Sequence, residues 1–105
     1  MQQQKAKFHV GQVIRHLKSG YRGVVYDIDP VFSLSEEWYA TMAISLPPKD
    51  RPWYHVLVDG RSHTTYVAEG HLTEDESRLP IGHPLIGRYF AAFEDGRYIR
   101  QGAVN

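Results

Sequence analysis

At 105 residues the chain has the length of one domain with a single core. Its 42% apolar and 23% charged content fits a folded globular protein and excludes a disordered one, and no apolar run approaches the roughly 18 residues of a membrane span. Cysteine is absent, which excludes disulfides, thiolate catalysis and Cys-ligated zinc, and twelve acids balance twelve bases. The start, Met1 to Lys5, is polar and lacks the apolar segment of a secretory signal, so a cytoplasmic protein without membrane contact is expected. Residues 1–105 read as a single domain, with 1–7 and 101–105 frayed.

In chain order, Gly11 marks a bend and Gln12 to Leu17 a strand, with Ile14 and His16 on one face and Val13, Arg15 and Leu17 on the other. Lys18 to Gly23 is turn-like. Val24 to Asp29 alternates, placing Val24, Tyr26 and Ile28 on one side and Asp27 and Asp29 on the other, until Pro30 ends the strand. These two strands form a hairpin. Ser33 and Glu36 have the spacing of a capping box, and Trp38, Tyr39, Met42 and Leu46 follow at helical intervals. The predicted helix lays its stripe on one end of the sheet, and Pro47 to Pro52 is a stiff exposed connection.

Trp53 to Val58 is the strongest strand in the chain, because flat and branched side chains pack well on a pleated surface. Asp59 to Ser62 reverses it, and Thr64 to Ala68 returns as a second strand. Thr73 to Ser77 reads as an acidic loop or a turn of helix, and Pro80 to Pro84 as a loop. Leu85, Tyr89 and Phe93 stand four apart, which favours a helical turn or two. Glu94 to Gly96 is a turn and Arg97 to Ile99 a last short strand. The sum is a mainly β fold: a small SH3-like barrel of four to six antiparallel strands with one or two short helices.

The six histidines, at 9, 16, 55, 63, 71 and 83, include no pair at helical i, i+4 spacing. His55 and His63 fit a facing pair across the central hairpin, but two ligands fall short of the three or four that zinc requires. No metal or other cofactor is therefore expected. Asp27 and Asp29 share a face and suit a cation or acid–base work, although such a pair at a strand end is more commonly a solvated rim. Ser33 and Ser35 sit where helix caps belong and Ser62 in a turn, and neither a nucleophile elbow nor a phosphate-cradling loop occurs. The residues give no positive case for an enzyme.

A binding role fits better. Residues 1–26 contain Lys5, Lys7, Arg15, Lys18 and Arg22 without a single acid, whereas 27–50 hold Asp27, Asp29, Glu36, Glu37 and Asp50 against Lys49. On charge alone, a solvated face near a terminus is the plainer reading. Arg15, Lys18, Tyr21 and Arg22 nevertheless gather around the first hairpin turn and are the candidate nucleic-acid contacts, because bases beside an aromatic suit a phosphate backbone and a stacked base. Trp53 and Tyr54 are recognition aromatics or core anchors, and for Trp53 the core is the stronger reading. Open edges of a small barrel also suit peptide capture by strand addition.

Val10-Gly-Gln with Arg15-His16, Gly20-Tyr-Arg-Gly-Val-Val with Asp27-Ile-Asp-Pro, Pro52-Trp-Tyr-His-Val and Thr65-Tyr-Val-Ala-Glu69 together resemble the YccV-like, or HspQ, family, in order and spacing, from about Phe8 to Leu72. The tail from His83 through Arg88-Tyr-Phe90 to Tyr98-Ile99 looks like the form fused to some eukaryotic F-box proteins and departs from that of the enterobacterial heat-shock members. The resemblance implies a small, mainly β, cytoplasmic protein of bacterial stress response that binds hemimethylated duplex DNA. It also implies an alternative: an adaptor or specificity factor for, or a substrate of, the ATP-dependent protease Lon, which turns over proteins including a replication initiator, acting through protein–protein contacts; a homo-oligomer is among the assemblies the resemblance allows. No residue roles are carried over from it.

Overall fold

The computed structural model describes residues 5–102. Strands β1 (Val13–His16), β2 (Arg22–Asp29), β3 (Trp53–Val58), β4 (Thr64–Ala68) and β5 (Leu72–Glu74) form one antiparallel sheet in the order β4-β3-β2-β1-β5. Strands β6 (Phe90–Glu94) and β7 (Arg97–Arg100) form a separate hairpin. Helix α1 (Glu36–Met42) lies between β2 and β3, a 3₁₀ turn (Glu69–His71) between β4 and β5, and the single turn α2 (Ile86–Tyr89) leads into β6. The expected mainly β antiparallel class is found, with its two short helices. The barrel does not close: β4 and β5 are free edges. The seven strands exceed the four to six expected, because β5 and β6 lie in stretches whose sequence resembled an acidic loop and a helical repeat.

Both faces of the sheet are covered, and this explains the runs of consecutive apolar residues. Ile14, Val25, Tyr54, Val56, Val67 and Leu72 pack with Phe8 on one side. Val13, Val24 and Leu57 pack on the other against Ile81, Phe90 and Tyr98, brought there by the β6–β7 hairpin and its approach. Neighbours such as Val13 and Ile14 are thus both buried, where a sheet with one wet face would bury only one. Trp53, Ala68 and Ala43 form a third cluster at the α1 end, joined by Phe32, Trp38, Tyr39 and Tyr66. Trp53 is a core residue, its indole N–H bonded to the Pro48 carbonyl at 3.0 Å.

Several local expectations are corrected. In β2, Val25 pairs with Val56 but Asp27 with His55, so Tyr26 is the extra residue of a bulge. Beyond it the alternation shifts, and Ile28 joins Val25 against the first cluster while Val24 and Tyr26 face the second. Across the central hairpin His55 opposes Tyr66, which leaves His63 in the exposed loop. Helix α1 is capped by Ser35, whose hydroxyl accepts from Trp38 N–H at 3.0 Å. The Ser33 hydroxyl instead donates to the Val31 carbonyl. Met42 and Leu46 point to solvent, whereas Pro47 and Pro52 of the supposed exposed connection are buried.

At the ends, residues 1–4 and 103–105 lie outside the described residues. Lys7 donates its N–H to the Tyr54 hydroxyl (3.0 Å) and to Glu69 (2.8 Å), and Gln101 its N–H to the Tyr89 carbonyl (2.8 Å).

Candidate nucleic-acid interface

The four residues singled out around the first hairpin turn do not form one basic patch. Arg15 and Arg22 are cross-strand partners in β1 and β2, and both reach Asp75 just beyond β5. Arg15 meets Asp75 Oδ1 at 3.0 Å and Arg22 Nε meets Oδ2 at 3.0 Å. Arg22 also contacts Asp59 at 3.2 Å and the carbonyls of Leu79 and Pro80. The Asp75 side chain is 1% exposed, Arg22 17% and Arg15 47%. Burial alone would raise the Asp75 carboxyl, but the Ser77 hydroxyl (2.6 Å), Arg22 and Arg15 outweigh it and hold the group below the usual carboxylate range. Arg22 is therefore a strut between β2, the central hairpin and the 75–80 segment, and only Arg15 keeps a substantial part of its charge in water.

Tyr21 belongs to the other side of the sheet. It packs against the first core cluster, its hydroxyl is 2.8 Å from Thr65 Oγ1, and burial raises its pKa. His16 stacks on it with ring centroids 5.1 Å apart. The His16 Nδ1 accepts the backbone N–H groups of Lys18 (3.2 Å) and Ser19 (3.0 Å), so this imidazole shapes the turn. Burial first, then His71 and Lys18, lower its pKa. Gly20 closes the reversal at φ 77°, a conformation that glycine alone adopts without strain. At the tip, Lys18 is exposed, and beside it Leu17 is 62% exposed. Sequence reasoning missed Leu17, which it had assigned to a strand face, and Asp75, which stands 60 and 53 positions from its arginines.

A second cluster lies at the far end of β2. Asp27, Asp29 and His55 each offer a ligand atom within 4.8 Å of the others. Asp29 Oδ2 is already held by the Tyr66 hydroxyl at 2.7 Å and His55 Nε2 at 3.1 Å. Burial, then the bond to Asp29, pushes the Tyr66 hydroxyl well above its ordinary pKa, so it remains a donor. Ser45 Oγ and His71 Nε2 stand 3.3 Å apart, but among the described residues no carboxylate bonds the other nitrogen of His71, as a catalytic triad would require.

The sheet, the turn that projects from it and the Asp75 strut all fall inside residues 6–97, the span matched by a family model described as hemimethylated DNA-binding protein YccV like, and the chain accordingly belongs to the YccV-like family.

Proposed function

We propose that this protein binds duplex DNA methylated on one strand, without chemistry of its own, and that it presents the β1–β2 turn to the major groove. The family match carries the DNA reading. The choice of surface is supported by the turn itself. A two-stranded ribbon enters the major groove, where a methyl on a base is exposed to apolar contact. Lys18 and the solvated half of Arg15 supply phosphate contacts, and Leu17 supplies the apolar contact beside them. Tyr21 and Arg22 hold the turn in place from the two sides of the sheet. Such a role belongs in the compartment that holds the DNA, the bacterial cytoplasm.

The test is a titration of hemimethylated, fully methylated and unmethylated duplexes of one sequence. Tighter binding of the first is expected. Lys18→Glu should weaken all three alike, and Leu17→Ser should narrow the difference between them. Equal affinity of the unaltered protein for the three duplexes ends the methyl-reading claim.

A second reading, work beside the protease Lon, is favoured by the exposed apolar side chains Leu34, Met42 and Ile44 around α1, which suit contact with protein rather than DNA. Degradation of Lon substrates should then quicken or slow when the protein is added; an unchanged rate counts against it.

A further inference from the structure

Strand β4 is an edge whose outer side is unprotected. Glu69 N–H bonds to the Pro52 carbonyl and Val58 N–H to the His63 carbonyl, and these two bonds set the phase of the β3–β4 ladder. Antiparallel pairs alternate between bonded and non-bonded, so Thr65 and Val67 turn their backbone groups to β3. Thr64, Tyr66 and Ala68 turn theirs outward. Among the described residues nothing bonds to the outward groups of Thr64 and Tyr66, while the Ala68 carbonyl opens the 3₁₀ turn that follows. Native edges are ordinarily blunted by a charge, a proline or a bulge, and Thr64–Ala68 contains none of these.

A groove of about 770 Å³ runs along this edge. All five consecutive residues of β4 touch it, although their side chains alternate between faces, so the groove follows the strand's rim and not one face. One wall is the β1–β2 turn, with Leu17, Lys18 and Tyr21. The other is α1 and the segment after it, with Trp38, Met42 and Ile44. Met42 is 60% and Ile44 91% exposed, an apolar display with no partner in the fold. A segment that pairs along the whole of this edge, residue for residue, has about five residues, the length of β4. No aspartate or glutamate lines the groove, whereas Lys18, His16, His55 and His71 do.

We propose that this groove captures an extended polypeptide segment of about five residues, apolar on both faces and flanked by acidic residues, which adds to β4 as a sixth strand of the sheet. The backbone of Thr64 and Tyr66 supplies the register. The two apolar walls receive side chains that alternate to either side, and the absence of acids among basic neighbours sets the charge preference. The groove shares Leu17 and Lys18 with the proposed DNA surface and Met42 and Ile44 with the Lon reading, but its test is independent of both, since it uses the isolated protein and a peptide alone.

The probe is a capped seven-residue peptide of five valines with an aspartate at each end, titrated into isotopically labelled protein. Saturable shifts are expected at the amides of Thr64 and Tyr66. Methylating the peptide's alternate amide nitrogens that face β4 should abolish them, while methylating the other set should not. Thr64→Pro removes one outward N–H at the first strand position, where proline is tolerated, and Ile44→Asp puts a like charge on a fully solvated wall. Each should weaken binding about tenfold, the loss of one good contact, while Ile44→Lys should not. Absence of shifts along β4, indifference to amide methylation, or a concentration-dependent dimer abolished by Thr64→Pro would overturn the proposal, the last by giving the edge to a second copy of the chain.

Discussion

Two side chains carry the most consequence for their size. Asp75 is a buried carboxylate serving two arginines and a serine, and its removal strands Arg22 in a partly desolvated place. Asp75→Ala should cost roughly 3 kcal/mol in urea unfolding, near the low end for a broken buried pair because Arg22 retains Asp59 and two carbonyls. Because the folded state lowers this pKa, the stabilisation is complete above the unfolded carboxylate value. It should fade as pH falls through the lower folded one. His16 has the same sign for a different reason. Its Nδ1 accepts two turn amides, so a proton there displaces both bonds. Its folded pKa lies below 6.5, hence its contribution is present above that value and is lost on acidification through the folded one. An NMR pH titration should place His16 below the ordinary histidine range, with the Lys18 and Ser19 amides moving in step; a normal midpoint would remove His16 from the role of turn organiser. Neither role was legible beforehand. Nothing near Arg22 in the chain names Asp75, and the turn held only a histidine of unknown direction.

Among the elements, those with a strong local signal stand where they were expected. The β3–β4 hairpin and the β1–β2 hairpin follow from β-branched and aromatic runs bracketed by glycine turns. The helix start illustrates how local signals compete. Ser33 and Ser35 both precede a residue three positions on, and the chain uses Ser35, because Ser33 N–H is drawn to the Tyr66 hydroxyl at 3.1 Å on the neighbouring strand. Ser35→Ala should therefore lower stability by about 1 kcal/mol, and Ser33→Ala by much less. Thermal unfolding of the two variants distinguishes them, and equal losses would contradict the observed cap. The elements that escaped notice, β5 and β6, are short. Their strand character comes from docking, β5 on β1 and β6 on β7, and not from composition.

At the level of the whole molecule, a neutral chain has committed two of the five bases of its first quarter, Arg15 and Arg22, to internal ion pairs. Charge reversal at Arg22 would report on folding before it reported on DNA, so Lys18 is the informative position. With Lys18 and the half-solvated Arg15 as the cations at the turn, log K for DNA should fall by about 1–2 per decade of salt. A steeper slope, measured by fluorescence anisotropy, would show that the surface extends beyond the β1–β2 turn. Among the described residues no helix is long and apolar enough to cross a membrane.

Taken alone, the order of residues was enough for the class of fold, the two main hairpins, the burial of Trp53 and the family, since each depends on side chains within a few positions of one another. It could not reveal which charges remain free, where the bulge at Tyr26 reverses the alternation, or that β4 lies uncovered beside a groove. Those features are set by partners dozens of residues away, whose positions exist only once the sheet has formed and both of its faces have been packed.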